Sequence, residues 1–294
     1  VQPSPLGVTT DRVRTNPGMN NPLLDRPAGP TDPAVPFFSI RAVDGRPIAL
    51  YANYALHYVG GTGPGHISAD YFGAFAGLIR ERLEAERVSP PFVGMMSNGA
   101  SGDINNVDFL GRQEKQKPYG QIALVAGDVA SEVARVHAGL TWLDHVPLAV
   151  ARRELTLGVR RPTDAEVSDA RKIMEGSALF PRMETLEQVY ARETALLSEF
   201  PETVQAPLQV IRIGDLTLAA IPAEVFVEIG LELKEKHPGT MIISLANAYH
   251  GYLPTPEHHQ LGGYETWRAR SSYLEPEAST KIVKTIGELI NELP

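Results

Sequence analysis

The chain has 294 residues, 43% of them hydrophobic and 21% charged, with Lys+Arg 27 against Asp+Glu 35 for a net charge of -8. That length buries a sizeable core in one large or two modest domains. An acidic balance without a basic run excludes a nucleic-acid footprint, and no stretch is long and apolar enough to span a bilayer. Cysteine is absent, so disulfides, thiolate-bound metal and thiol catalysis are excluded, and any metal must take His, carboxylate or other oxygen ligands.

Residues 1–35 are rich in Pro, Asn and Gly with little periodicity. They read as an extended arm lying on a domain, or as the continuation of an upstream portion, and the second reading is preferred because the chain begins with Val1. Strand-like mixing over Phe37–Val43 leads to an Asp44-Gly45 turn and a second strand, Pro47 to Leu56, that ends in His57. The glycine-rich run at 60–65 follows. Asp70 is the expected N-cap of a helix to about Arg87, with Phe72, Phe75, Leu78, Ile79 and Leu83 on one face. Pro91 to Ser97 reads as a buried strand, the SNGASGD segment as the loop at its end, and Gly120 to Leu140 as a helix.

Val146 to Val159 alternates like a hairpin arm. Thr163 with Glu166 forms a capping box, and a second charged helix covers about Glu184 to Phe200. Together, residues 162–200 read as a solvated helical insertion without visible chemistry. Strands return at Leu208–Ile213 and Leu216–Ile221 around Gly214-Asp215. A helix over about Ala223 to Lys236, a strand at Met241–Leu245 and a helix over about Glu277 to Leu293 complete the chain. Strand–helix alternation predicts an α/β fold: a mixed sheet core flanked by helices, spanning 36–294 and preceded by the arm.

Functional groups in such folds gather at the carboxyl ends of strands. His57, the SNGASGD loop, Glu224 and the ANAYHGY segment fall there. Each also has a plain structural reading. A lone strand-end His is commonly a hydrogen-bonded structural residue, Glu224 in a first helical turn would be favoured by the helix dipole, and Tyr252 would be packing. His, carboxylate and phenolic oxygen are nonetheless donors that Zn²⁺ accepts. His258 and His259 are expected in a solvated loop.

Read as blocks, NYALHYVGGTGPGHISADYFG, MMSNGASGDIN, IPAEVFVEIG and LANAYHGYLPTPEHHQLGGYE resemble the neutral/alkaline ceramidase family, most closely its shorter bacterial relatives, from about Arg14 to the last helix. The resemblance implies a zinc amidohydrolase acting on linear amides. It implies His57, Glu224 and Tyr252 as metal ligands and Tyr264 as the group that polarises the substrate carbonyl, with the SNGASGD backbone as a further oxyanion donor. It puts Ser97, Asn98 and Asp103 at the pocket, together with His66, read as supporting structure. Asn105 takes the family's serine position in the G-D-x-x run, and asparagine can donate a hydrogen bond but not shuttle a proton. That departure argues against ceramide itself and leaves another amide or an ester open.

The family's H-T-H-S-G-P motif, which supplies the other ligand histidine and a proton carrier, has no counterpart here. A companion N-terminal chain carrying that His-x-His motif, left by proteolytic processing, is one expected source. The rival expectation is a metal-poor binding or scaffold subunit active only with such a chain. Secretion or a periplasmic location is implied by the resemblance alone.

Overall fold

The computed structural model describes residues 2–7, 10–19, 21–111, 116–175, 177 and 182–294. Residues 176 and 178–181 of the expected helical insertion, and 1, 8, 9 and 20 of the arm, lie outside these. Two short strands, β1 (Gln2–Pro3) and β2 (Thr10–Asp11), pair antiparallel within the arm. β3 (Phe37–Arg41) and β4 (Pro47–Tyr54) then form the expected hairpin. Asp44 accepts the Arg46 amide at 3.0 Å and Gly45 sits at φ 90, a left-handed turn that glycine adopts without a Cβ clash. Helix α1 (Asp70–Arg82) crosses over to β5 (Val93–Asn98), which lies parallel to β4. Helix α2 (Gly120–His137) packs on α1. Leu50, Tyr71, Phe75, Ile79, Phe92, Ile122 and Ala126 bury the core between this sheet and its two helices.

The second half begins with β6 (Leu148–Gly158) and continues through α3 (Asp164–Glu175) and α4 (Leu186–Leu197) to β7 (Thr203–Ile213). β6 and β7 pair antiparallel along their whole length, from Leu148 opposite Ile213 to Gly158 opposite Thr203. β7 turns into β8 (Leu216–Ala220), which runs antiparallel to it. After β9 (Glu224–Val225), helix α5 (Val227–Lys236) returns the chain to β10 (Thr240–Ile243), parallel to β8. β11 (Tyr252–Leu253) lies parallel to β9. The short α6 (Pro256–Leu261) and the C-terminal α7 (Ala278–Glu292) finish the fold. The sheet order β10-β8-β7-β6 is therefore mixed, and Ile221, Ile229, Leu233, Ile242, Ile286 and Leu289 pack between it and helices α5 and α7. The expected α/β class is observed. Among the described residues, no helix is long and apolar enough to cross a membrane.

The helices end earlier than periodicity alone predicts, at Arg82 rather than Arg87 and at His137 rather than Leu140. Asp70 is not the N-cap of α1; Ala69 holds that position. Asp70 is itself the first helical residue, at φ 54, and its carboxylate accepts the amides of Val59 (2.9 Å) and Gly60 (2.7 Å). The carboxylate thus holds the glycine loop that follows His57. The Thr163–Glu166 capping box is present. The two helices α3 and α4 pack on each other and reach the segment that follows Tyr264. Glu193 of α4, 8% exposed, takes a two-pronged hydrogen bond from Arg270, and Glu166 takes one from Arg268 at 2.7 Å.

The two sheets meet at the carboxyl ends of their parallel strands. Asn53, 2% exposed on β4, donates to the Ile242 carbonyl on β10 and to Ser97 Oγ, both at 2.9 Å. Ser244 donates its amide to the Asn98 carbonyl (3.0 Å) and its hydroxyl to that of Gly99 (2.7 Å). Replacing Asn53 with Ala strands the Ile242 carbonyl and leaves Ser97 only its Tyr51 hydrogen bond, and a loss of about 1–3 kcal/mol in urea unfolding is expected. Gly77→Ala on α1, where a Cβ meets nothing within 4 Å, should instead be neutral or stabilise by about 0.4–1 kcal/mol. A neutral Asn53→Ala would refute this account of the sheet junction.

Candidate functional site

The site is assembled where those strand ends converge. His57 lies just beyond β4 and is held from several sides. Tyr71 Oη donates to the Leu56 carbonyl at 2.8 Å, and Asp70 fixes the loop beyond. The ring Nδ1 sits 3.1 Å from the Ser101 carbonyl. A carbonyl can only accept, so the proton is assigned to Nδ1 and the Nε2 lone pair is turned outward, toward Glu224 Oε2 at 3.8 Å. That separation is too long for a hydrogen bond.

Glu224 does not occupy the first turn of a helix. It sits on β9, ahead of α5, and its amide donates to the Gly251 carbonyl at 2.8 Å. The helix-dipole reading of this residue is thereby removed. Its Oε1 accepts from the Tyr249 hydroxyl at 3.0 Å, leaving Oε2 to face His57. Directly opposite Glu224 in the parallel β9–β11 pair is Tyr252. The tight approach that brings β11 here needs Gly251, at φ 75, because a Cβ at that position would collide with the Ser271 backbone. Tyr252 Oη lies 2.6 Å from Tyr264 Oη, with the rings edge to face at 5.4 Å. Burial first, then the Tyr264 hydrogen bond and the Glu224 charge, hold the Tyr252 phenol well above its ordinary range. Tyr264 is raised too, chiefly by burial. Both are therefore neutral donors unless a cation draws off the proton.

The other expected residues have defined structural partners. Ser97 accepts hydrogen bonds from Tyr51 and Asn53, and Asn98 accepts one from Ser101. His66 is exposed and bonded to Tyr119 Oη at 2.8 Å. The exposed Asn105 bonds Asn16 of the arm at 2.6 Å and accepts the Val107 amide. Asp103 accepts the Val227 amide at the start of α5. The SNGASGD backbone is not free to stabilise an oxyanion at Gly99 or Gly102, because those amides are spent on the carbonyls of Tyr54 and Val225, and the next amide, Ile104, is spent on the Ser101 carbonyl.

Residues that sequence analysis gave no role complete the surroundings. Ser101 acts through its carbonyl and Tyr249 through its hydroxyl. The arm also lies on the site: Thr15 donates to the buried Glu265 at 2.5 Å, Trp267 donates to Asp11 at 2.9 Å, and Arg12 donates its amide to the Leu261 carbonyl at 2.7 Å. His258, expected in a solvated loop, lies in α6 and is 7% exposed. The signal was present locally: Thr255 accepts the His258 amide as N-cap, and Pro256 occupies the first helical position. With Asp103 and Glu228, His258 forms a group whose ligand atoms all lie within 4.8 Å of one another. Burial, and then the Glu228 charge, push the Asp103 carboxyl up to about 8.

No protein-family model matches the chain, and no curated protein sequence matches it. Among solved structures, neutral ceramidase from Pseudomonas aeruginosa matches with a TM-score of 0.61 and 18% identity, over 88% of this chain and 46% of that one. A ceramidase complexed with C2 matches with a TM-score of 0.61 and 17% identity, over 88% and 47%. This chain thus has a ceramidase-like fold and spans about half the length of those chains.

The loop and β9 are in close contact. A Cβ on Gly102 would lie 2.6 Å from the Glu224 carbonyl oxygen and 3.0 Å from the Phe226 ring. Gly102→Ala is expected to lower stability by about 1–3 kcal/mol through overpacking against backbone, measured by urea unfolding. Wild-type stability in this variant would mean that the loop and β9 are free to separate.

Proposed function

We propose that this chain carries the larger part of a zinc-dependent hydrolase site that cleaves a linear amide bond. The observation that carries the reading is the convergence of His57 Nε2 and Glu224 Oε2, which face each other without a hydrogen bond, with Tyr252 directly across the strand pair from Glu224. An imidazole lone pair fixed by a second-sphere carbonyl, a carboxylate oriented by a phenol and a desolvated tyrosine form a donor set suited to zinc. The ceramidase-like fold supports the same reading. Bound zinc would supply Lewis acidity and bring a water within reach of deprotonation at neutral pH.

The chain's own residues then have separable tasks. Ser101 keeps the His57 proton on Nδ1, and Tyr249 keeps one Glu224 oxygen turned away from the metal position. Tyr264, 38% exposed and neutral, is placed to donate to a substrate carbonyl oxygen as negative charge develops on it. An N-acyl lipid of the ceramide kind, or a smaller amide, is the proposed substrate. Ser97 and Asn98 build the floor from behind, Asp103 and Asn105 anchor the loop and the arm, and His66 stands at the periphery. Export from the cell belongs to this reading.

The single histidine in the donor set favours a second reading beside the first. The chain would be a binding or scaffold subunit whose site is completed by a separate N-terminal chain bearing the His-x-His motif. The intact mass of the native assembly separates the two.

Glu224→Gln should lose one zinc per chain relative to the wild type, measured by elemental mass spectrometry, along with amidase activity on an N-acylsphingosine. Tyr264→Phe should keep zinc while losing roughly 10²–10³ in kcat. Wild-type zinc content and full activity in Glu224→Gln would sink the assignment.

A further inference from the structure

We propose that Asp103, Glu228 and His258 form a second divalent-cation site, suited to zinc or manganese, that ties the loop after β5 to helices α5 and α6. The three residues come from separate elements, and their ligand atoms lie within 4.8 Å of one another. The proposal is independent of the zinc reading at Glu224.

Several features beyond mere proximity point to a ligand. His258 is 7% exposed, and its ring packs edge to face on Phe226 at 4.9 Å. Its Nδ1 is engaged with Thr255 Oγ1 at 2.7 Å. Nε2 makes no hydrogen bond among the described residues and lies 3.5 Å from Glu228 Oε1. The second oxygen of Glu228 is buried without a hydrogen-bond partner. Asp103 has one oxygen bonded to the Val227 amide, and its carboxylate lies within 4.8 Å of the ligand atoms of Glu228 and His258. Two carboxylates therefore share a largely covered space, and among the described residues neither pairs with a lysine or an arginine. The arm closes over them, since a side chain at Gly29 would run into the Glu228 carboxylate.

Partly buried like charges this close call for a compensating positive charge, either a proton shared between the carboxyls or with His258, or a cation. One imidazole and two carboxylates suit a borderline divalent ion better than the all-oxygen preference of magnesium or calcium. The ion would act structurally. Gly102 donates to the Val225 carbonyl, and α5 begins immediately after β9, so fixing Asp103 to Glu228 also fixes the strand that carries Glu224.

The test uses the full chain in the Glu224→Gln background, which is designed to remove the first site. After extensive chelation, zinc and manganese chloride are titrated separately by calorimetry and followed by thermal unfolding. One ion per chain and a rise in Tm of several degrees are expected. Adding Glu228→Gln, which preserves shape, or His258→Asn should each weaken binding by at least tenfold and abolish the Tm response. Failure of Glu224→Gln to take up either ion, or unchanged uptake in both double variants, would overturn the proposal and leave a shared proton as the compensating charge. If wild-type zinc is insensitive to Glu224→Gln and lost in Glu228→Gln, the first reading fails and this one stands.

Discussion

The loop from Asn98 to Asp103 has to satisfy the backbone of three strands at once, and everything functional is built on that requirement. Gly99 donates back to Tyr54 at the end of β4, the Asn98 carbonyl receives Ser244 beyond β10, and Gly102 donates to Val225 on β9. Each bond is local in space and distant in sequence. Buried backbone groups left unpaired are costly, so these bonds fix the relative position of the two sheets with little slack. The Ser101 carbonyl, which also takes the Ile104 amide, orients His57. The same few residues therefore serve as architecture and position the candidate site.

Electrostatics around the loop are lopsided. Glu224, Glu228, Asp103 and the buried Glu265 stand near the strand ends, while the nearby imidazoles, His57 and His258, are each turned toward a carboxylate. In a low-dielectric setting such an arrangement is tolerated through protons or cations, and it raises the carboxyl and phenol groups rather than lowering them. Asp103, Glu265, Tyr252 and Tyr264 all move in that direction, each with burial as the leading cause.

Much of the fold was legible because it rests on short-range signals. Alternating residues bounded by Asp44-Gly45 and Gly214-Asp215 gave the hairpins, and Thr163 with Glu166 gave the start of α3. Local rules failed where a side chain serves a distant partner. Asp70 resembles an N-cap but spends its carboxylate on Val59 and Gly60, and it adopts a left-handed conformation to do so. Glu224 has the sequence context of a helix start, yet its amide bonds Gly251 and it lies in a strand pair. The candidate ligands were legible only as blocks of residues, since no spacing rule joins His57 to Glu224 across the chain. Glu228 and His258 lie within two of those blocks, but nothing in the blocks marks them as partners. Their meeting with Asp103 follows from the approach of β9 to the loop, which no local pattern encodes.

The first 35 residues have the composition of a dispensable tail, yet they behave as a splint. Asn16 is bound to Asn105, Thr15 to Glu265, Asp11 to Trp267, and Asp32 to Lys234 of α5. The arm thereby bridges the G-D loop, the helix beyond Glu224 and the segment beside Tyr264, which otherwise belong to different parts of the sheet framework. Substitution in this proline-rich stretch would consequently be felt as altered alignment among groups 89 or more positions away. The least patterned part of the chain thus carries contacts that keep its most distant parts in register.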